Sequence, residues 1–243
     1  MSRTPRRLLV LVSGAALTLG AATVPAAGTV DAADHLISHQ HNASYSTNWS
    51  GYAETGTGYT SAAATWTVPS VSATSSATYS SAWVGIDGDG NSNLIQTGTE
   101  SDYVNGRAEY SAWWEILPAY SVTITGVPVK AGDSITASVA KSSGTSWVIS
   151  LKDNTTGKSW SSTKSYSGRG QSAEFVQEAP TVGGSQAAVA HFSTFGFSNL
   201  QVNKANPGLV SSEKIILRQN GIDYSTPSNP NASGNGFTVS YTG

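Results

Sequence analysis

Short runs in which apolar and polar residues alternate are the feature that most limits how this chain can fold. They recur through most of the sequence and are separated by turn-forming stretches such as DGDGN, KAGD, DNTTGK and SGRG. Because successive side chains of a strand point to opposite faces of a sheet, each run predicts a β-strand with one buried face. Many such strands joined by turns are typical of sandwiches and barrels. We therefore predict an all-β fold of two packed antiparallel sheets.

Two of the predicted strands carry glutamates on a single face. The stretch RAEYSAWWEIL has an apolar face of Ala108, Tyr110, Ala112, Trp114 and Ile116, and a second face of Glu109, Ser111, Trp113 and Glu115. In SAEFVQEAP, Glu174, Val176 and Glu178 share a face. Charged residues make up only 12% of the chain, so carboxylates grouped in this way are candidates for a functional site.

The N-terminal residues have the pattern of a secretory signal peptide. Three arginines precede an apolar run that begins at Leu8, and small residues follow that run. A positive start, an apolar core and small residues at the exit are the three parts of such a peptide. We predict a secreted, extracellular protein with no membrane association after cleavage. The predicted divisions are a signal peptide at 1–30, a short pro-segment or flexible tail at 31–45, and one β-sandwich domain at 46–243.

The charge and the missing residue types exclude several functions. Removal of residues 1–30 takes away three arginines and no acidic residue, so the formal net charge changes from −2 to −5. A mildly acidic chain offers no basic face for nucleic acid. The chain has no cysteine, which excludes thiol catalysis and cysteine-bound metals. It also lacks the G-x-S-x-G, H-E-x-x-H, P-loop and dinucleotide-binding motifs. We expect a monomer that needs no cofactor.

Two polar stretches share features with metal-binding segments. DGDGN alternates its acidic and amide side chains as an EF-hand loop does at its start, but Ser92 and Gly98 stand where that loop needs Gly and Glu. Three histidines also lie close together in residues 31–45. A turn between strands and a tail without a ligand are the simpler interpretations. We therefore predict no metal site.

The glutamates by themselves leave three interpretations open. Glu115 and Glu178 could be the two carboxylates of a β-sandwich glycoside hydrolase. The tryptophans could instead stack on sugars in a non-catalytic carbohydrate-binding module. In the third interpretation the glutamates are solvent-exposed and the tryptophans fill the core. Residue types without a motif do not separate these interpretations.

A series of short motifs in a fixed order narrows the choice. SAWVGIDGDG with LIQTG, then AWWEI and then AEFVQE follow one another, and NWSGY and WTVPSV precede them. Together these motifs resemble the glutamic peptidases, a family also called eqolisins or G1, from Asn48 to Phe195. The resemblance implies a double β-sandwich of curved, concanavalin-like sheets. It also implies an endopeptidase that is active in acid on protein or peptide substrates.

The resemblance further implies a catalytic pair of Gln96 and Glu178. Gln96 matches the glutamine of the family's LQTG motif, and Glu178 matches the glutamate that closes the motif read here as AEFVQE. In this pair the glutamate activates a water molecule as general base, and the glutamine stabilises the oxyanion. Glu174, on the same face, is then a supporting or structural residue. A carboxylate base suits acid conditions, since carboxyl groups titrate near ~4 whereas a histidine is protonated there.

The same motifs supply further candidate residues and several departures from the family pattern. Residues expected to line or support the cleft are Trp83, Asp87, Trp114 and Glu115. Ser111 and Glu100 stand where the family has aspartates, and the cysteines of fungal members are absent. The Gln/Glu pair is retained despite these differences, but the set of carboxylates expected around it differs from that of the family.

Overall fold

The computed structural model describes residues 44–243, which form a chain of β-strands. That range contains seventeen strands, one turn of 3-10 helix at Ser211–Glu213, and no α-helix. The predicted signal peptide, and the predicted segment at 31–45 except for its last two residues, lie outside the described residues. Those two residues belong to a strand rather than to a tail. No helix in the described range is long and apolar enough to cross a membrane.

The strands follow one another with short connections. In chain order they are β1 Ser44–Ser46, β2 Trp49–Thr55, β3 Ser61–Thr67, β4 Ser81–Ile86, β5 Ile95–Val104, β6 Arg107–Ile116, β7 Val122–Thr123, β8 Ser134–Ser143, β9 Ser146–Asp153, β10 Ser159–Ser165, β11 Ser172–Glu178, β12 Thr181–Val182, β13 Ser185–Gln186, β14 Phe195–Val202, β15 Lys214–Gln219, β16 Ile222–Pro227 and β17 Phe237–Tyr241.

Fifteen of these strands form one hydrogen-bonded sheet that folds back on itself. The order of neighbours is β10-β9-β8-β3-β14-β17-β16-β15-β2-β11-β4-β5-β6-β7, every pair is antiparallel, and β1 is added in parallel to β15. Strands β8 and β9 are far from β4 and β5 in this order, yet they contact them. The two halves of the sheet are therefore stacked as two layers. This arrangement confirms the predicted antiparallel double β-sandwich.

The main core fills the space between the two layers. Val84 and Ile86 of β4 and Trp66 of β3 are all buried in this core. Burying one large apolar side chain contributes roughly 1.5–3 kcal/mol. The chain has no cysteine, so no disulfide bond joins the two layers. A core of this size can stabilise them without one.

A second, smaller apolar cluster lies on the other face of the layer that contains β2, β11, β4, β5 and β6. Its members are Trp49, Ala53, Trp83, Leu94, Trp113, Leu117, Val176 and Ile215. At its centre the Trp83 and Trp49 rings meet edge to face, with centroids 5.1 Å apart. Gly98 makes room for this packing, because a Cβ there would lie 2.6 Å from the Cβ of Trp83. This cluster surrounds the predicted catalytic side chains.

Candidate active site

Four neighbouring strands, β11, β4, β5 and β6, carry five of the seven predicted site residues on one face, and β2 flanks them. The strands β2, β11, β4, β5 and β6 are hydrogen-bonded in that order. Along β4, Ser81 pairs with Glu178 of β11, and Gly85 pairs with Glu174 on one side and with Gln96 of β5 on the other. Because residues two apart on a strand share a face, both glutamates lie on the same face as Gln96. By register, Glu174 is level with Gln96, and Glu178 lies further along the strand.

Gln96 is paired with Glu115 across β5 and β6. Both residues are fully buried, and the Gln96 Nε2 atom donates a hydrogen bond of 2.7 Å to the Glu115 Oε2 atom. This bond orients the amide of Gln96. Its Oε1 atom is buried and has no hydrogen-bond partner among the described residues. An amide nitrogen has two hydrogens and its oxygen has two lone pairs. Gln96 therefore has an acceptor and a second donor left for another molecule.

Glu178 is held by donors at both carboxylate oxygens. The Trp83 Nε1 atom donates to Oε2 at 2.7 Å, and the Asn48 Nδ2 atom donates to Oε1 at 3.2 Å. All three residues are buried. The two donors therefore hold the Glu178 carboxylate in one position.

Glu174 has a different environment from Glu178. It is fully buried, and neither of its carboxylate oxygens has a hydrogen-bond partner among the described residues. Burial, together with the charges of Asp89 and Asp87, raises the pKa of Glu174 well above its usual range, and the nearby Ser172 hydroxyl offsets this only in part. Glu174 is therefore protonated in acid, where it cannot act as a base.

Two further acids extend the group of carboxyl side chains beyond Glu178. Glu100 lies across Ser81 from Glu178, and Asp102 lies two residues further along β5. Burial, with the charges of Asp102, Glu178 and Glu115, raises the pKa of Glu100 well above its usual range. Burial also raises the pKa of Asp102 to about 7. In acid this end of the face is therefore largely uncharged.

Asp87 lies at the end of β4 and turns toward a loop. Its backbone is left-handed, with φ of 69°, a conformation that Asp adopts more readily than most residues. Its carboxylate accepts hydrogen bonds from the Tyr166 hydroxyl at 2.7 Å, the Gly170 amide at 3.0 Å and the Gln171 amide at 2.8 Å. Asp87 therefore fastens the loop at 166–171. A contact with substrate stays a prediction.

Trp114 lies on the opposite face from its neighbour Glu115. Its ring stacks on Trp160 of β10 with centroids 6.2 Å apart, and the Lys164 ammonium lies 4.3 Å above it. These contacts belong to the junction of the two layers. Trp113 is the tryptophan of this pair on the face of Gln96 and Glu178, because strand alternation separates adjacent residues.

The candidate catalytic side chains are closed off from solvent. Gln96, Glu115 and Glu178 each have an exposed fraction of 0%. A peptide therefore reaches them only when neighbouring side chains move apart. Within residues 44–243, no group of three or more His, Asp or Glu side chains is arranged to hold a metal ion.

Comparison with known proteins identifies the family. A model of the Peptidase A4 family matches residues 47–241, which is nearly all of the described chain. The chain belongs to the Peptidase A4 family. This A4 peptidase is 32% identical to aspergillopepsin-2 of Aspergillus niger over 226 residues, which cover 82% of this chain and 79% of that protein. It is 39% identical to scytalidopepsin B of Scytalidium lignicola over 141 residues, covering 56% and 53% of the two chains.

Solved structures of glutamic peptidases have the same fold. Scytalido-glutamic peptidase with a transition-state analogue inhibitor superposes with a TM-score of 0.71 at 30% identity, covering 81% of this chain and 98% of that one. Aspergilloglutamic peptidase from Aspergillus niger gives a TM-score of 0.57 at 30% identity, covering 68% and 99%. The predicted resemblance to glutamic peptidases is thereby confirmed, and the chain is a hydrolase of the glutamic endopeptidase type. The glycosidase and carbohydrate-binding interpretations were wrong.

The site contains residues that the sequence analysis did not single out. Asn48 belongs to the NWSGY motif, and in the fold it contacts the Glu178 carboxylate. Trp113 shares a strand face with Glu115, and in the fold it belongs to the apolar cluster around the site. Alternation could have identified Trp113. No signal in the sequence indicated Asn48, because its contact joins residues 130 positions apart.

Proposed function

We propose that this chain is a secreted, acid-active endopeptidase in which Glu178 is the general base and Gln96 stabilises the oxyanion. The observation that carries the proposal is the contrast between the two glutamates of β11. Glu178 is held by a donor at each carboxylate oxygen, whereas burial raises the pKa of Glu174 well above its usual range. A general base must be ionised at the working pH.

The proposed reaction needs no covalent intermediate. Glu178 removes a proton from a water molecule as the water oxygen attacks the carbonyl carbon of the scissile peptide bond. The second N–H of Gln96 donates to the oxyanion that forms, while the Gln96 Oε1 atom accepts from the attacking water. The protonated Glu178 then gives its proton to the leaving nitrogen as the carbon–nitrogen bond breaks. The carboxylate of Glu178 is thereby restored.

Glu115 and Trp83 position the two reacting side chains in this proposal. Glu115 accepts one N–H of Gln96 and so directs the other. Trp83 fixes the Glu178 carboxylate through the indole N–H. Both contacts hold the groups before substrate arrives, and preorganised groups stabilise a transition state without further rearrangement.

The proposal is tested with a matched pair of variants on one strand. Glu178→Gln and Glu174→Gln make the same chemical change on the same face of β11. We expect wild type to cleave denatured protein in acid, Glu178→Gln to be inactive at every pH, and Glu174→Gln to keep measurable activity. If Glu174→Gln were inactive and Glu178→Gln active, the base would be Glu174. Cleavage by the Glu178→Gln variant at the wild-type rate would overturn the proposed mechanism.

Secretion is tested by N-terminal sequencing of protein from the culture medium of an expressing host. We expect a mature chain that begins after residue 30. Protein found only inside cells, with residues 1–30 still present, would contradict the proposal. Sedimentation of the purified chain tests the expected monomer.

A further inference from the structure

We propose that Asn48, itself oriented by Ser46, is a positioning residue that fixes the Glu178 carboxylate for proton transfer. The proposal rests on the proposed role of Glu178 as general base. It adds a role for the short strand β1 and the bend that follows it. These residues lie at the start of the described chain, far in sequence from the strand that they serve.

Asn48 contacts the end of β11 at two points. Its side-chain Nδ2 atom donates to the Glu178 Oε1 atom at 3.2 Å, and its backbone carbonyl accepts the Ala179 amide at 2.8 Å. Glu178 also pairs with Trp49 in the register of β11 and β2. Backbone hydrogen bonds thus fix the position of the Glu178 backbone, and the Asn48 side-chain amide fixes the position of the Glu178 carboxylate.

Ser46 orients the Asn48 side chain. The Ser46 hydroxyl donates to the Asn48 Oδ1 atom at 3.1 Å, and its oxygen accepts the backbone amides of Asn48 at 3.1 Å and Trp49 at 2.8 Å. A hydroxyl donor at Oδ1 requires that the amide nitrogen point the other way, toward Glu178. Ser46 and Asn48 are both buried. Water therefore competes little for these hydrogen bonds.

The bend that carries Asn48 is fastened from several directions. The carbonyl of Thr47 accepts hydrogen bonds from the side chains of Gln219, at 3.0 Å, and of Gln186. β1 pairs in parallel with β15, and the Arg218 guanidinium lies 3.5 Å above the Tyr45 ring. So many contacts on one polar bend hold the Asn48 side chain in one orientation.

The expected consequence of losing this contact is a slower chemical step with little change in substrate binding. The Asn48 amide touches the base and, in this proposal, not the substrate. Misplacing a catalytic group by about 1 Å can reduce a rate roughly 100-fold, and loss of an orienting contact typically costs about 10- to 100-fold. We therefore expect Asn48→Ala to lower kcat about 10- to 100-fold and to change KM less than about threefold.

The experiment compares four variants by kcat, KM and melting temperature on one peptide substrate. Ser46→Ala should lower kcat in the same direction as Asn48→Ala, and Ser46→Thr, which keeps the hydroxyl, should restore it. Asn203→Ala is the matched control. Asn203 also makes side-chain hydrogen bonds, to Thr60 and Gly58, but it lies in the turn after β14 and bonds to the connection between β2 and β3. It should leave kcat unchanged.

The outcomes separate this proposal from the proposed function. If Glu178→Gln is inactive while Asn48→Ala keeps wild-type kcat, the positioning role is overturned and the base assignment stands. If Asn203→Ala and Asn48→Ala lose kcat equally, the effect is one of general stability and the positioning role is also overturned. If Glu178→Gln is active, Glu178 is not the general base, and the proposed function and the positioning role are both overturned.

Discussion

At Gln96 the chain buries an amide oxygen that has no partner among the described residues. An unsatisfied buried polar group costs about 1–3 kcal/mol of stability. The needs of folding do not explain why the chain keeps an unsatisfied group. Gln96 lies beside Glu115 and on the same face as Glu178, which fits a role in binding and catalysis.

Replacing this amide gives the most direct test of the oxyanion role. We expect Gln96→Ala to lower kcat by about 100- to 1,000-fold, the usual effect of removing one oxyanion donor. Removing the unsatisfied oxygen stabilises the fold, whereas losing the hydrogen bond to Glu115 and leaving a cavity destabilise it, so the melting temperature is measured together with the rate. Gln201→Ala, at an exposed position on β14, is the control and should keep full activity. A Gln96→Ala rate within tenfold of wild type would contradict the proposed role.

Replacing Glu174 should change the pH dependence of the unfolding free energy more than the catalytic rate. Burial raises its folded-state pKa, so between the ordinary value of 4.5 and the folded value the folded state binds more protons than the unfolded state. Stability then falls as pH rises through this interval. We expect Glu174→Gln to be as stable as wild type near pH 4 and more stable near pH 8, by on the order of 1 kcal/mol or more. Urea unfolding at both pH values measures the difference, and parallel pH profiles would contradict the prediction.

At the scale of single elements, strands β4 and β5 approach each other closely at Gly98. A Cβ on Gly98 would lie 2.3 Å from the Ala82 carbonyl oxygen and 2.6 Å from the Trp83 Cβ atom. The pairing of these strands, and with it the Trp83 indole that holds Glu178, therefore depends on a residue without a side chain.

We expect Gly98→Ala to destabilise the fold and to impair catalysis together. Overpacking of this kind costs about 1–3 kcal/mol. Gly126→Ala is the control, since a Cβ there meets nothing within 4 Å and the backbone is not left-handed; it should change stability by less than about 0.5 kcal/mol. Chemical denaturation measures both variants, and equal effects would show that the close approach at Gly98 does not limit the packing.

The loop that Asp87 fastens is a second test at this scale. Asp87 accepts three hydrogen bonds from the loop at 166–171, whereas Asp223 forms a partly exposed ion pair with Arg218. We expect Asp87→Ala to cost about 2–4 kcal/mol, because hydrogen bonds to charged groups are strong, and Asp223→Ala to cost less than about 1 kcal/mol. Thermal unfolding compares the two, and an equal loss would contradict a structural role for Asp87.

For the whole molecule, the buried acids link folding to pH. Burial raises the pKa of both Asp102 and Glu54 to about 7, and it raises the pKa values of Glu100 and Glu174 well above their usual range. Each of these groups holds its proton more tightly when folded. The unfolding free energy is therefore highest in acid, where these groups are protonated, and it falls as pH rises toward and beyond 7.

We expect the unfolding free energy of the wild type to fall by roughly 2–4 kcal/mol between pH 5 and pH 8. Asp102 and Glu54 are only partly buried, and solvent screening reduces their share. Denaturant midpoints across this range measure the change. Asp102→Asn should flatten the profile, and a midpoint that is constant or rises with pH would contradict the prediction.

Much of the architecture followed from local sequence pattern. Alternation correctly predicted an all-β sandwich, the shared face of Glu174 and Glu178, and the opposite faces of Trp114 and Glu115, because the side-chain period of a strand is two whatever its neighbours are. The ordered motifs correctly indicated the glutamic peptidase family.

Only the tertiary structure decided which side chains meet. It gave Glu178 its two donors and left Glu174 with none, it turned Asp87 toward a loop, and it brought Asn48 to a carboxylate 130 positions away. These contacts depend on strand register and on burial. Both are set by the packing of the whole sheet, so the sequence of one strand does not contain them.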